Sequence, residues 1–328
     1  MAKIGEPLPG REEIVVNLKP LYLDFDGTRM AKLFTVKCFR EAVNYKPRPD
    51  DIFIATFPKC GTTWMSEITY LIFHHGNSPN SHLDRLQSTP FIEMTGEAGP
   101  RNMARPGCIK THLPRNLVPY SDDAKYIYVV RNPKDCAVSY FHHQKKTFSA
   151  YEFEDGSFDE FFELFLKGET EYNDYFAHLL SWYPQTKKPN TFLIHYEDLK
   201  KDPRSEILRL GKFLGEDYYK SMLESNLIDK IVVGCHVDTM KKHYERFDIP
   251  IEGVQNAGVA NFVKMNIKQK TEEGTIRLPG FVRQGKVNGW KDMFTAEMNS
   301  RMERKIFETL EPVCPEIVQK WRDHNILS

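Results

Sequence analysis

Common metal and redox signatures are missing from this chain of 328 residues. Its 6 cysteines include no Cys-x-x-Cys pair, and none stands at zinc-ligand spacing from a histidine. We therefore expect neither a structural zinc site nor a disulfide framework, and no metal cofactor is predicted. Free thiols in a reducing compartment are the simplest interpretation of this cysteine usage.

Long apolar runs and an excess of charge of one sign are also missing. The first seven residues lack the apolar core of a secretory signal, and no uninterrupted run reaches membrane-spanning length. Lysine plus arginine and aspartate plus glutamate each number 45, which gives a formal net charge of +0. We expect a soluble, cytoplasmic protein without membrane partners. The neutral balance also argues against nucleic-acid binding driven by bulk charge.

Signs of a domain boundary are scarce as well. The chain has no internal repeat and no clear linker, and its 41% hydrophobic and 27% charged residues are ordinary for a globular protein. We predict a single domain over residues 1–328, which begins with an N-terminal segment at 1–46. Residues 241–279 are polar and predict a long surface loop that acts as a lid.

The most informative stretch is residues 51–64. An apolar, β-branched run ends at Pro58, Lys59 and Gly61 follow with two threonines, and a helical pattern begins at Trp64. A tight loop between a strand and a helix leaves the first helical N–H groups unpaired at the positive end of the helix dipole. The sequence therefore predicts a loop that binds a phosphate or a similar anion.

Two common nucleotide-binding fingerprints do not fit this loop. A nucleoside-triphosphate loop has the pattern Gly-x-x-x-x-Gly-Lys-Ser/Thr, with the lysine after the second glycine. Here Lys59 precedes Gly61, and no glycine stands at the earlier position. The dinucleotide pattern Gly-x-Gly-x-x-Gly is also absent after the strand. Sites of the ATP type and of the dinucleotide type are therefore disfavoured.

Four strand-like runs alternate with helical patterns along the chain. This alternation predicts an α/β fold of three αβα layers, with a central, mainly parallel sheet and a P-loop-like strand–loop–helix. Ligands of such sheets bind beyond the carboxyl ends of the strands. The polar residues that follow the four strands are Lys59, Lys110 with His112, Arg131, and Tyr196. Three cations and a histidine along one edge suit a polyanionic ligand and a proton transfer.

Five motifs stand in and around these strand ends. Residues 57–64 are Phe-Pro-Lys-Cys-Gly-Thr-Thr-Trp, residues 110–114 are Lys-Thr-His-Leu-Pro, and residues 131–140 are Arg-Asn-Pro-Lys-Asp-Cys-Ala-Val-Ser-Tyr. Tyr-Glu-Asp follows at 196–198 and Arg-Gln-Gly at 283–285. In order and spacing, from about residue 47 to 310, the chain resembles the cytosolic sulfotransferases.

The resemblance implies an activity and a nucleotide. The sulfuryl group of 3′-phosphoadenosine 5′-phosphosulfate (PAPS) would pass to a hydroxyl or amine of a small acceptor, with adenosine 3′,5′-bisphosphate (PAP) as the product and no metal. His112 would act as general base, because an ordinary histidine pKa of about 6.5 suits that role. Lys59 and Lys110 would stabilise charge on the leaving phosphate, and Ser139 completes the implied catalytic set.

The resemblance also assigns binding residues. The loop and Lys59 would hold the 5′-phosphosulfate, and Arg131 with Ser139 would hold the 3′-phosphate. The residues expected to contact the nucleotide are Lys59, Cys60, Gly61, Thr62, Thr63, Trp64, Arg131, Ser139, Tyr196, Cys235, Met240, Phe281, Arg283, Gln284 and Gly285. The residues expected to contact the acceptor are Phe91, Lys110, His112 and His143.

Several positions depart from the usual pattern of the family. Cys60 stands where serine is usual, and Gln284 stands where a lysine is common near the 3′-phosphate. Cys235 replaces a common threonine against the adenine. His143 stands near a usual aromatic pocket position, so we expect a more polar acceptor pocket.

The oligomeric state stays open at the level of sequence. The family's dimer motif is kept only in part, since Lys291 and Thr295 are present but Ala296 and Ser300 replace valine and glutamate. A homodimer through this segment is therefore neither predicted nor excluded.

The acceptor is not determined by the sequence either, and phenols, catecholamine-type amines and sterols are the candidates. A second hypothesis is a catalytically weak, nucleotide-binding regulatory protein of the same fold. The presence of Lys59, Lys110, His112 and Ser139 together argues against it. A phosphoryl-transfer enzyme is a third hypothesis, and the position of the loop lysine argues against that one.

Overall fold

A computed structural model describes most of the chain. The described residues are 15–16, 19–79, 82–146, 149–224, 226–244, 249–250, 256–265, 275–276 and 282–327.

The described chain begins with a small antiparallel sheet. Its strands are β1 (Val15–Val16), β2 (Tyr22–Phe25) and β3 (Thr28–Met30). Between β2 and β3, the carboxylate of Asp24 accepts a hydrogen bond of 2.9 Å from the N–H of Gly27, which stabilises a tight turn.

The central sheet has four parallel strands, β4 (Ile52–Thr56), β5 (Ile109–Thr111), β6 (Lys125–Val130) and β7 (Thr191–His195). Their order across the sheet is β5-β4-β6-β7. In chain order, β5 is therefore added on one side of β4, and β6 and β7 are added on its other side. In open α/β sheets such a reversal creates a crevice at the carboxyl ends of the strands, here at the end of β4.

Helices cover both faces of this sheet, which confirms the predicted three-layer α/β fold. The helices are α1 (Val36–Asn44), α2 (Thr62–Phe73), α3 (His82–Ser88), α4 (Ile92–Thr95), α5 (Ala98–Asn102), α6 (Pro133–Lys146), α7 (Phe158–Lys167), α8 (Tyr175–Trp182), α9 (Tyr196–Lys201), α10 (Pro203–Leu214), α11 (Glu216–Glu224), α12 (Leu227–Gly234), α13 (Val237–Tyr244), α14 (Ala257–Met265), α15 (Ala296–Thr309) and α16 (Pro315–Asp323). Short 3₁₀ turns lie at Ser149–Tyr151, Tyr183–Lys187 and Gly289–Asp292.

Alternating side chains of the strands divide the core in two. Phe53 of β4 and Tyr126 of β6 are buried on one face, with α1, α6, α7, α8, α15 and α16. Ile54 and Ile127 are buried on the other face, with α2, α10 and α12. Because both faces are covered, the middle of each long strand is apolar on both sides, as is usual for a parallel sheet.

The start of α6 is capped by residues of its own motif. Asn132 stands at the N-cap, its side-chain oxygen accepts from the N–H of Asp135 at 2.8 Å, and Pro133 occupies the first helical position. The buried Glu197 at the start of α9 also binds Asn132, at 2.7 Å from its amide nitrogen. These bonds fix the end of β6 against the end of β7.

Parts of the segment predicted as a lid have regular structure. Helix α14 and a short ribbon of β8 (Ile249–Pro250) with β9 (Thr275–Ile276) lie within residues 241–279. The side-chain amide of Asn261 on α14 donates to the carbonyls of Lys32 and Leu33, both at 3.0 Å. A moving lid over the site stays a prediction. Among the described residues, no helix combines the length and apolarity needed to cross a membrane.

Candidate active site

A cavity of about 1040 Å³ opens at the carboxyl ends of the four central strands. Its walls include residues that directly follow each strand, which are Lys59, His112, Arg131 and Tyr196. The convergence predicted from the strand ends is therefore present in the fold, because all four strands run parallel and end at the same edge.

The loop after β4 begins the cavity wall. Lys59 and Gly61 both have left-handed backbone conformations, with φ of +68° and +109°. Gly61 is the N-cap of α2, so the first N–H groups of that helix face the cavity side of the loop. This geometry leaves N–H donors at the positive end of a helix, an arrangement that suits an anion, and anion binding by the loop stays a prediction.

Arg131 joins this loop to the late turn, residues 283–290, which contains two glycines. Its guanidinium donates to the carbonyl of Lys59 at 3.0 Å and to the carbonyl of Lys286 at 3.1 Å. The same group lies 4.3 Å from the centre of the Tyr196 ring. Trp64 packs edge-on against that ring at 5.3 Å, which makes an aromatic corner suited to a flat base.

Asp135 holds the late turn in place from α6. Its carboxylate accepts from the backbone N–H of Asn288 at 2.9 Å and of Trp290 at 3.0 Å. Residues 283–285, far away in sequence, are thereby brought to the wall of the cavity.

His112 lies where β4 and β5 end. Its Nδ1 is 2.9 Å from the carbonyl oxygen of Thr56, and a carbonyl oxygen can only accept a hydrogen bond. Nδ1 therefore carries the proton, and in the neutral ring Nε2 keeps its lone pair. The Thr56 hydroxyl lies 3.1 Å from the same Nδ1 and 2.6 Å from the hydroxyl of Thr62, so the histidine is tied to the start of α2.

The surroundings of His112 keep its ring neutral. The ring packs edge-on against Phe91 at 5.1 Å and Tyr172 at 5.4 Å. Burial, with the charge of Lys110 acting in the same direction, lowers the pKa of His112 to about 3. Glu93 supports the backbone, since one of its oxygens accepts from the His112 N–H at 2.6 Å.

Two lysines crowd positive charge into the same cavity. Burial is the main cause that lowers the pKa of Lys59, and that of Lys110, to about 8. Lys59 is also affected by the charge of Arg131, and Lys110 lies 4.5 Å from the centre of the Phe91 ring. Cations held this close together favour a ligand with several negative charges.

Buried donors that have no partner among the described residues fit a ligand with several negative charges. The Nε atoms of Arg131 and Arg283 are buried and have no hydrogen-bond partner among the described residues. Both residues line the cavity. Buried donors of this kind are costly unless a ligand or water satisfies them.

Comparison with known proteins identifies the family. The family model for the sulfotransferase domain matches residues 49–313. Sulfotransferase 1E1 of Homo sapiens is 33% identical over 288 residues, which cover 85% of this chain and 89% of that protein. Sulfotransferase 1 family member D1 of Rattus norvegicus is 32% identical over 279 residues, which cover 82% of this chain and 86% of that protein. This chain belongs to the sulfotransferase family. Its enzyme class is that of the PAPS-dependent sulfotransferases.

Solved structures show the same fold as this sulfotransferase. Mouse sulfotransferase SULT7A1 in complex with PAP matches with a TM-score of 0.67 at 24% identity, over 91% of this chain and 96% of that chain. Retinol dehydratase in complex with androsterone and PAP matches with a TM-score of 0.62 at 21% identity, over 89% of each chain.

The sulfotransferase fold brings nearly all the predicted site residues to one cavity. From the predicted nucleotide set, the cavity is lined by Lys59, Gly61, Thr62, Thr63, Trp64, Arg131, Ser139, Tyr196, Cys235, Met240, Arg283, Gln284 and Gly285. The four residues predicted for the acceptor, Phe91, Lys110, His112 and His143, line it as well. Phe281 lies outside the described residues.

Cys60 is the one described residue of the predicted set that does not line the cavity. Its backbone N–H donates to the carbonyl of Phe57 at 3.2 Å, and its sulfur is buried 3.7 Å from the sulfur of Cys136. The thiol therefore points into the core under the loop. The serine-to-cysteine difference changes packing beneath the loop after β4 (residues 57–61) and places no thiol in the cavity.

Sequence reasoning missed several residues of the site. Thr56 holds the His112 ring, Glu93 holds its backbone, and Tyr172 packs edge-on against the same ring. Glu93 had a visible signal, because a single carboxylate within the apolar stretch at 91–94 is unusual unless it is buried and bonded. Tyr172 and Thr56 had none, since their roles depend on contacts with residues distant in sequence.

Proposed function

We propose that this sulfotransferase moves the sulfuryl group of PAPS to a hydroxyl or amine of a small acceptor, with His112 as the general base. The tautomer of His112 carries this proposal. Because Nδ1–H is occupied by the Thr56 carbonyl at 2.9 Å, the lone pair of Nε2 is the basic site of the ring. Burial keeps the ring unprotonated in the free protein, and the negative charge of a bound nucleotide would raise its pKa toward the neutral range that suits a general base.

The positions of the cations support separate roles for them in binding the two phosphate groups of the nucleotide. Lys59 and the first N–H groups of α2 would hold the 5′-phosphosulfate, and Arg131 with Ser139 and Arg283 would hold the 3′-phosphate. The corner between Trp64 and Tyr196 would hold the adenine. The bound nucleotide supplies the activated sulfuryl group. The chain supplies charge at the leaving oxygen and a base at the acceptor.

The walls around His112 favour an acceptor with a flat, apolar body. Phe34 and Phe91 pack edge-on at 5.4 Å, and Phe34 also contacts Tyr172 at 6.3 Å. Met94 and Phe262 add further apolar surface to the cavity. Among the candidate classes, we propose a phenol or sterol in preference to a catecholamine-type amine.

The decisive experiment combines turnover with nucleotide binding. Radiolabelled PAPS is incubated with a panel of phenols, sterols and biogenic amines, and PAP binding is measured by calorimetry. We expect sulfated product from wild type. His112→Asn should lower kcat by about a hundredfold or more, the usual contribution of a general base, and leave PAP affinity nearly unchanged. His74→Asn, at the C-cap of α2 and outside the cavity lining, is the control.

Two results would contradict the proposal. Full turnover by His112→Asn would show that His112 is not the general base. Tight PAP binding by wild type without product on the whole panel would favour a nucleotide-binding regulatory protein of the same fold.

A further inference from the structure

His143 and Lys59 are in direct contact across the cavity wall. The Nδ1 atom of the histidine lies 3.2 Å from the Nζ atom of the lysine. Lys59 comes from the phosphate loop, whereas His143 lies in the last turn of α6, whose first turn carries the motif that begins at Arg131. One helix therefore extends from the nucleotide motif to the loop lysine.

The placement of His143 follows from helical spacing. Ser139 and His143 are four residues apart on α6 and so lie on the same face of the helix. Both line the cavity. Ser139 is expected to contact the nucleotide. The same helix face carries His143 one turn later, where its imidazole contacts Lys59.

The charges of the pair determine which atom donates. An ammonium group can only donate, so Nδ1 of His143 must be the acceptor, and in a neutral ring the proton is on Nε2. Burial lowers the pKa of His143 well below its ordinary value, and the charge of Lys59 acts in the same direction. His112 and His143 are therefore neutral rings of opposite tautomer on one cavity wall.

We propose that His143 is a positioning residue for Lys59. It accepts one hydrogen of the ammonium group and thereby fixes the position of that charge in the cavity. A phenyl ring at this position would have no nitrogen lone pair to offer the lysine. The inference deepens the proposed function and rests on it.

The test compares three single variants and one double variant in the same assay, with para-nitrophenol as acceptor and PAP binding measured in parallel. His143→Phe keeps an aromatic side chain and removes the acceptor atom. His143→Asn places an amide oxygen where Nδ1 stood. Lys59→Met removes the ammonium group, alone and combined with His143→Phe. His74→Phe, at a histidine that does not line the cavity, is the control.

We expect His143→Phe to lower kcat by about tenfold or more, the loss typical of a hydrogen bond to a charged group. His143→Asn should recover most of that loss, and PAP affinity should stay within about twofold in both variants. In the Lys59→Met background, His143→Phe should have no further effect. Nitrogen NMR of the histidine rings in the free protein should show His143 with its proton on Nε2.

Specific outcomes would overturn this inference. These are wild-type kcat in His143→Phe, failure of His143→Asn to recover activity, an effect of His143→Phe that persists without Lys59, or a proton on Nδ1 of His143. If wild type itself transferred no sulfuryl group to any acceptor in the panel, the proposed function would fail. In that case the NMR result would still show whether Nδ1 of His143 accepts a hydrogen bond from Lys59.

Discussion

Gly61 lies so close to Tyr196 that a methyl group on its α-carbon would stand 2.9 Å from the Cδ2 atom of the tyrosine ring. Its φ of +109° is also a conformation that residues with a side chain rarely adopt. The loop after β4 and the aromatic corner at Tyr196 can therefore come into contact only because this position is glycine.

The first prediction follows from this contact. Gly61→Ala should weaken PAP binding by about tenfold or more, because the strained backbone and the displaced ring both disturb the site, each at a cost of about 1–3 kcal/mol. Isothermal calorimetry measures the loss. Gly27→Ala is the matched control, since Gly27 also has a positive φ of +89° but open space around the added methyl group. Equal PAP affinity in Gly61→Ala and wild type would contradict the prediction.

The second prediction concerns pH and the two cavity lysines. In the free protein, burial lowers the pKa of both Lys59 and Lys110 to about 8. Below that pH both are charged and attract phosphate. Above it, PAP binding must be accompanied by proton uptake, so affinity should fall by about tenfold per pH unit for each proton taken up.

Calorimetry of PAP binding across the alkaline range, from neutral to about pH 10, checks this dependence. Lys59→Arg is the informative variant, because a guanidinium stays charged at every pH in this range and should make the alkaline decline shallower. A PAP affinity that stays constant through the alkaline range in wild type would show that the lysines keep their ordinary pKa.

The third prediction separates a structural lysine from the functional ones. Lys134 belongs to the same motif as Arg131, yet its side chain is 0% exposed and does not line the cavity. Its ammonium group donates to Glu303 at 2.6 Å and to the carbonyl of Ile326 at 2.7 Å, and thereby ties α6 to α15 and to the end of the chain.

Lys134→Met should therefore reduce the free energy of unfolding by about 3–5 kcal/mol, because it removes one partner of a buried ion pair. Urea unfolding measures the change. Lys291→Met, at an exposed lysine, should have little effect. If Lys134→Met unfolded at the same urea concentration as wild type, the buried pair would have no part in stability.

The fourth prediction addresses the acceptor. The hydroxyl of Tyr172 is buried, lines the cavity and has no hydrogen-bond partner among the described residues. Tyr172→Phe should raise the acceptor KM by about threefold to tenfold if this hydroxyl binds the acceptor, the range expected for one neutral hydrogen bond. The midpoint of thermal unfolding should not fall, since no bond within the described chain is lost.

Tyr140→Phe is the contrasting variant. The hydroxyl of Tyr140 donates to the Glu171 carboxylate at 2.9 Å, so its loss should lower the unfolding midpoint and leave the acceptor KM unchanged. If both variants changed only stability, Tyr172 would be part of the core and would have no role in acceptor binding.

The sequence by itself determined the elements and the edge at which the site lies. Strands β4, β5, β6 and β7 are local signals, because short β-branched or aromatic runs bounded by polar residues specify strands from neighbouring residues alone. Their alternation with helices predicted the parallel sheet. The residues after each strand, among them Lys59 and Arg131, then had to lie along one edge.

Tertiary structure alone decided how these residues contact one another. Thr56 and His112 are 56 positions apart, and Lys59 and His143 are 84 positions apart. Such contacts depend on strand order across the sheet and on how each helix is rotated about its axis, and nearby sequence encodes neither. The path of the loop after β4 directs the Cys60 thiol into the core, whereas the motif alone had placed that residue with the nucleotide. The sequence thus determined the edge at which the site lies, and packing determined which side chains reach the cavity and which nitrogen of each histidine is available for chemistry.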